Sequence, residues 1–137
     1  MNFNKTTGYA INVLHYMAAN KTEKFSVTAL QEKLNIPYSY LRQVMNNLSK
    51  SGFITGSTGR TGGFTLKKDI SSIYLADIVE ATEGLGSLNG CIMGIEVCPF
   101  DSKCAMHDHW KDARADILKV LKSTTLKTLI KNSKNKY

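Results

Sequence analysis

Cysteine is scarce in this chain, with three among 137 residues, and the number is odd. An odd and small set cannot lay out the paired sulfurs of a disulfide framework, so the thiols are read as ligands or reactive groups in a reducing compartment. No two of them are spaced Cys-x-x-Cys, as a thiol-disulfide catalyst requires. A nucleophile elbow and a phosphate loop are also missing, and Gly59, Gly62 and Gly63 do not fit a dinucleotide fingerprint. These absences exclude the familiar enzyme classes, and no small-molecule substrate is expected. Long hydrophobic runs are lacking too: nothing approaches the roughly 20 apolar residues of a membrane span, and no basic leader precedes an apolar stretch. The expectation is a cytoplasmic protein with no membrane partner. Internal repeats are absent.

Acidic residues are few in the first half. Residues 1–70 carry nine Lys and Arg against Glu23, Glu32 and Asp69, whereas 71–137 carry nine against eight, within a formal net charge of +7. The basic excess therefore belongs to the front of the chain, which suits a polyanionic partner. A chain of this length buries roughly two-thirds of its unfolded surface, enough for one core without a metal to fold it.

Apolar residues Ala10, Ile11, Val13, Leu14, Met17 and Ala18 recur at helical spacing between Asn4 and Asn20, with Asn4 or Thr6 as cap. Ser26 or Thr28 caps a short helix, Ala29 to Leu34, which must stop before Pro37 because the residue preceding proline avoids the helical basin. The next helix, about Ser39 to Lys50, places Leu41, Val44, Met45 and Leu48 inward and Arg42, Gln43, Asn46, Asn47 and Lys50 outward. Two short helices joined by a tight turn, the second polar on its open face, form a helix-turn-helix. Phe53–Thr55, the glycine-rich 56–63 and Phe64–Leu66 then read as strand, loop and strand, a wing. Ile70–Tyr74 is expected to be an extended connector and Leu75–Thr82 a helix.

The fold class predicted is mainly α with a small β-hairpin wing: a winged helix-turn-helix with a long C-terminal dimerisation helix. That helix, roughly Ala105 to Lys122, carries Trp110, Ala113, Ile117, Val120 and Leu121 on one stripe, and Thr124 or Thr125 caps a final turn. The division is a DNA-binding domain over 1–83, a ligand loop over 84–104, and the dimerisation helix and tail over 105–137. The expected partners are double-stranded DNA and a second copy of the chain. Ser39, Tyr40, Arg42, Gln43 and Asn46 offer donors and acceptors for base edges, with Arg42 and Gln43 the prime base readers. Arg60 at the wing tip suits the minor groove, and Lys5, Lys50 and Lys67 suit phosphate.

All three cysteines, Cys91, Cys98 and Cys104, fall in one stretch that also holds Gly90 and Gly94, followed by His107. Thiolate and imidazole suit an iron-sulfur cluster or zinc. Zinc sites usually draw on tighter Cys-x2-4-Cys knuckles, and these gaps are wider.

The chain resembles the Rrf2 family of bacterial winged-helix regulators. The resemblance is carried in order by Gly8-Tyr9-Ala10, Ile36-Pro37-x-Ser39-Tyr40-Leu41, Gly62-Gly63-Phe64-x-Leu66, the cysteine loop, Trp110 and Thr125-Leu126-x-x-Leu129. It implies a dimer crossed through the long helix and a cluster held by Cys91, Cys98, Cys104 and a fourth ligand. IscR-like members use a histidine placed like His107 for a two-iron, two-sulfur (2Fe-2S) cluster. NsrR-like members bind a four-iron (4Fe-4S) cluster with an aspartate near the amino terminus. Position 8 here is Gly8, which favours His107 and the two-iron form, with His109 as competitor. The first cysteine gap is one residue longer than the IscR-like pattern. The function implied is a transcription regulator, read as a repressor, that senses redox state, nitric oxide or iron-sulfur status; the alternative is a cluster-free or zinc-binding regulator with thiol sensors.

Overall fold

The structure, a computed structural model, describes residues 3–20, 24–60, 62–93 and 104–132. Helix α1 (Lys5–Ala19) starts where Asn4 Oδ1 accepts from the Thr7 amide at 2.8 Å. Helix α2 (Val27–Leu34) is capped by Ser26, whose hydroxyl accepts from the Ala29 amide at 3.0 Å. It ends at Asn35, which takes the left-handed conformation (φ 52°) that asparagine tolerates better than most residues, and Pro37 opens helix α3 (Tyr38–Lys50). The predicted helix-turn-helix is therefore present, with α2 beginning two residues earlier than its expected start.

Strands β1 (Ile54–Ser57) and β2 (Gly63–Leu66) pair antiparallel from Ile54 opposite Leu66 to Ser57 opposite Gly63. Phe25 joins this hairpin from the other side: its amide donates to the Phe64 carbonyl at 3.0 Å and its carbonyl accepts from the Phe64 amide at 2.7 Å. Gly63 makes that approach possible. Its φ is +148°, and a Cβ there would lie 3.1 Å from the Phe25 carbonyl oxygen. At Gly62 a Cβ would overlap the Ser57 carbonyl oxygen.

The connector at 70–74 is a turn over 70–72 and becomes extended only at its end, where Tyr74 bridges Thr125. Asp69 folds it by accepting from the Ser71 amide (2.8 Å) and hydroxyl (2.6 Å), the side-chain turn that aspartate favours. Helix α4 (Leu75–Thr82) matches its predicted span. A 3₁₀ turn, Leu85–Asn89, occupies the start of the expected ligand loop. The long helix α5 (Ala105–Ser123) is followed by α6 (Leu126–Asn132), where the Thr125 hydroxyl accepts from the Thr128 amide at 3.2 Å.

The main core surrounds α1: Ala10, Val13, Leu14 and Met17 meet Leu30, Leu41, Val44, Met45, Leu48, Ile78 and Leu126. Each large side chain withdrawn from water here contributes about 1.5–3 kcal/mol. Helix α6 belongs to this core, although it follows the long helix in sequence: Leu126 is fully buried. Three backbone bonds stitch the return of the chain, from the Leu75 amide to Thr124 O (3.0 Å), from Leu126 to Ile73 O (2.8 Å) and from Lys127 to Ile70 O (3.2 Å). A second, smaller core holds α5 to α4 through Ala76, Val79, Leu88 and Leu121, with Ile117 and Leu118 against them. Val120, expected on the same stripe as Leu121, is 58% exposed. Among the described residues no helix is long and apolar enough to cross a membrane.

Candidate nucleic-acid interface and cysteine site

Helix α3 is split by its sequence into two faces. Leu41, Val44, Met45 and Leu48 are buried, and this fixes the helix so that Ser39, Tyr40, Arg42, Gln43 and Asn46 are all exposed together, with Asn47 half-buried beside them. Two aromatic contacts order the exposed face. The Arg42 guanidinium lies 5.9 Å from the Tyr38 ring centroid, one helical turn away, within the range of a cation–π contact. Tyr40 meets Tyr9 of α1 edge-on, with ring centroids 5.5 Å apart. Tyr40 is thus both a surface group and a contact to the first helix, a role its place in the sequence did not disclose.

The wing adds a second exposed basic element. Arg60 is exposed at the hairpin loop, next to Gly59 with φ +100°, and Lys50 and Lys67 are exposed at the ends of α3 and β2. Lys68 sits 4.5 Å over the Phe53 ring, so its ammonium is placed by the core rather than left to wander. Lys5 is exposed in the first turn of α1.

At the other end, Cys104 is the residue that begins α5, half-buried, and Cys91 follows the 3₁₀ turn, exposed; both carry free thiols. His107 is exposed in the first turn of α5, its amide bonded to the Cys104 carbonyl at 3.1 Å, and His109, Asp108 and Asp112 are exposed on the same helix. Cys98 lies outside the described residues. Among the described residues no three of His, Cys, Asp and Glu come together as a metal-holding group.

The two ends of the cysteine segment are nonetheless tied to one helix. Trp110 Nε1 donates to the Gly90 carbonyl at 2.9 Å, and the Arg114 guanidinium donates to the same oxygen at 3.1 Å. Cys91 thus leaves from a point fixed on α5, the helix that Cys104 opens and His107 decorates. Sequence reasoning placed Trp110 on the apolar stripe and among the family markers, and passed over Arg114. The available signal was that the only tryptophan carries an N–H needing an acceptor, with an arginine four residues on, on the same helix face. The donor chemistry suits an iron-sulfur cluster: an exposed thiol at Cys91 follows the anchored Gly90, and a half-buried thiol at Cys104 and an exposed imidazole at His107 sit at the N-terminus of α5, where negative charge is favoured.

The sequence profile of the Rrf2 family, described as iron-dependent transcriptional regulators, matches residues 3–132. A candidate HTH-type transcriptional regulator of Aquifex aeolicus is 32% identical over 132 residues, covering 95% of this chain and 92% of that protein. The HTH-type transcriptional regulator IscR of Klebsiella pneumoniae is 30% identical over 125 residues, covering 90% of this chain and 76% of the relative. Among solved structures, CymR, the global cysteine regulator of B. subtilis, superposes with a TM-score of 0.81 at 24% identity, covering 97% of this chain and 98% of its own. T. potens IscR superposes at 0.77 and 22% identity, covering 96% and 88%. These structures share the winged-helix fold found here, and the relatives are regulators rather than enzymes. The chain belongs to the Rrf2 family of transcriptional regulators.

Proposed function

We propose that the protein binds double-stranded DNA as a homodimer and adjusts that binding through an iron-sulfur cluster held by Cys91, Cys98, Cys104 and His107. The observation that supports the cluster reading is the anchoring of Gly90 to Trp110 and Arg114, which ties the residue before Cys91 to the same helix that Cys104 begins. Two irons and two sulfides suit three thiolates and one imidazole, and Gly8 offers no carboxylate from the amino terminus. When bound, such a cluster supplies an oxidisable, ligand-exchanging centre, and replacing a thiolate by imidazole raises its potential.

The chain's own residues do the rest. Arg42 and Gln43 read base edges in the major groove, Ser39, Tyr40 and Asn46 flank them, Arg60 enters the minor groove, and Lys5, Lys50 and Lys67 meet phosphate. Dimerisation through α5 is supported by its outer face. Asp116, Ile117, Val120 and Leu121 line an apolar groove of about 260 Å³, in which Val120 is 58% exposed.

The test is an anaerobic spectrum with iron and sulfide counts on freshly made protein. Absorbance between roughly 320 and 460 nm, bleached by nitric oxide, is expected of the cluster, and His107→Ala should lose iron. Colourless anaerobic protein with stoichiometric zinc would rule the cluster out. A second reading, a cluster-free thiol sensor, is favoured by the exposure of Cys91 and by the close fold match to CymR. Iron-free protein whose DNA affinity changes on thiol oxidation would establish it.

A further inference from the structure

A partly buried polar knot joins the first helix to the root of the cysteine segment. Thr7 is fully buried, yet its hydroxyl lies 2.7 Å from the Thr82 hydroxyl and 2.5 Å from Glu83 Oε2. The same carboxylate oxygen accepts from the Asn4 amide at 2.9 Å. Asn4 Oδ1 in turn accepts from the Thr7 amide and lies 3.1 Å from its hydroxyl. Thr7 has one hydroxyl proton, and a carboxylate is the strongest acceptor within reach. With the Thr7 proton on Glu83, the single Thr82 proton is shared between Thr7 Oγ1 and the Ile78 carbonyl, 3.0 Å away, which ties the knot back into α4. The first turn of α1 holds no acidic residue of its own. Glu83 therefore supplies from α4 the negative charge that the free amides of a helix start attract.

On one side, this knot connects to the cysteines without slack. Glu83 closes α4, and Gly84 (φ +81°) turns the chain into the 3₁₀ segment, whose Leu85 amide is bonded to Glu80 Oε2 at 2.8 Å. Leu88 is buried in the second core, and Gly90 is held by Trp110 and Arg114, one residue before Cys91. On the other side it reaches the recognition helix. Tyr9 follows Thr7 by two residues, and its ring meets Tyr40 of α3.

We propose that Thr7, Thr82 and Glu83 form a latch through which the state of the cysteine segment sets the position of α3 on DNA. The proposal rests on the cluster-dependent DNA binding argued above. A shift at Cys91 moves the 3₁₀ segment as a unit and alters the seat of Glu83 on α1. Because α1 packs on both α3 and α4, the Tyr9–Tyr40 contact changes with it. Tightly packed, hydrogen-bonded groups of this kind switch between discrete arrangements rather than deforming smoothly.

The test uses the full chain, reconstituted anaerobically with ferrous iron and sulfide, and compares loaded and unloaded affinity for one duplex selected on the wild type. Wild-type protein should show a ratio of about fivefold or more between the two forms. Thr7→Val and Glu83→Gln should bring the ratio to within about twofold of unity with unchanged iron and sulfide counts, whereas Thr7→Ser, which keeps the hydroxyl, should preserve it. Amide hydrogen exchange supplies a readout that does not require the variants: cluster loading of wild-type protein should alter exchange across both residues 5–9 and 38–42. A wild-type ratio that survives in Thr7→Val and Glu83→Gln overturns the latch alone, as does exchange confined to the cysteine segment. A wild-type ratio of one overturns the sensing function on which it rests.

Discussion

Leu126→Ala should cripple the fold, although the residue lies beyond the long helix and far in sequence from the DNA-reading elements. Its side chain is fully buried in the main core, among residues of α1 and α4. Leu-to-Ala changes in such sites cost about 2–5 kcal/mol, the larger values arising where the walls cannot close on the cavity. Here the backbone is pinned on both sides, by the Leu126 amide on Ile73 O and the Lys127 amide on Ile70 O, so little collapse is open to it and a loss near 4 kcal/mol is expected. A domain of this size has roughly 5–15 kcal/mol in total, so about a quarter or more of the stability disappears. The melting temperature should fall by roughly 10–20 °C. Urea unfolding followed by circular dichroism would measure it, at one fixed protomer concentration because association adds concentration-dependent stability. A loss under about 1 kcal/mol would refute the reasoning and return α6 to the status of a loosely attached tail.

Other substitutions separate the remaining claims. Gly63→Ala should lower the melting temperature more than Gly59→Ala, since both have positive φ but only Gly63 presses against Phe25; strain at such positions costs about 1–3 kcal/mol, and equal losses would dismiss the packing argument. Trp110→Phe should leave the Gly90 carbonyl to Arg114 alone and speed loss of iron from reconstituted protein; an unchanged release rate would show that this tether does not hold the cysteine segment. Arg42→Ala should weaken cognate DNA by about 1–3 kcal/mol and non-cognate DNA much less, and equal weakening on all sequences would make Arg42 a phosphate contact. If the dimer neutralises some six to ten phosphates, affinity should drop by roughly a thousandfold or more between 50 and 200 mM salt, and a flat salt response would deny the charged interface.

What was legible in advance was local. Asn4 and Ser26 announce helix starts through their side-chain oxygens, Pro37 ends α2, and alternating buried and open positions fix the face of α3. The 3₁₀ turn at Leu85–Asn89 was missed because five residues with glycine and serine among them carry no helical period. β1 runs on through Gly56, against glycine's poor strand preference, because the Phe64 ring covers it: a Cβ there would stand 3.0 Å from that ring. Periodicity also cannot name a packing partner. It grouped Val120 with Leu121, yet α4 covers only the latter, and it gave α6 an apolar face without showing that α1 receives it. For the site, Cys91, Cys104 and His107 stood out by residue type, whereas Thr7 and Glu83 did not, since 76 positions separate them in the chain and only the fold makes them neighbours.

The pairing of Tyr74 with Thr125 gives the chain the form of a brooch. The chain leaves into α4 and comes back from α5 at this clasp, which the Leu75 amide on Thr124 O and the Leu126 amide on Ile73 O hold closed. The root of α4 and the start of α6 therefore stay side by side, and a change that opened the clasp would unseat the two helices together.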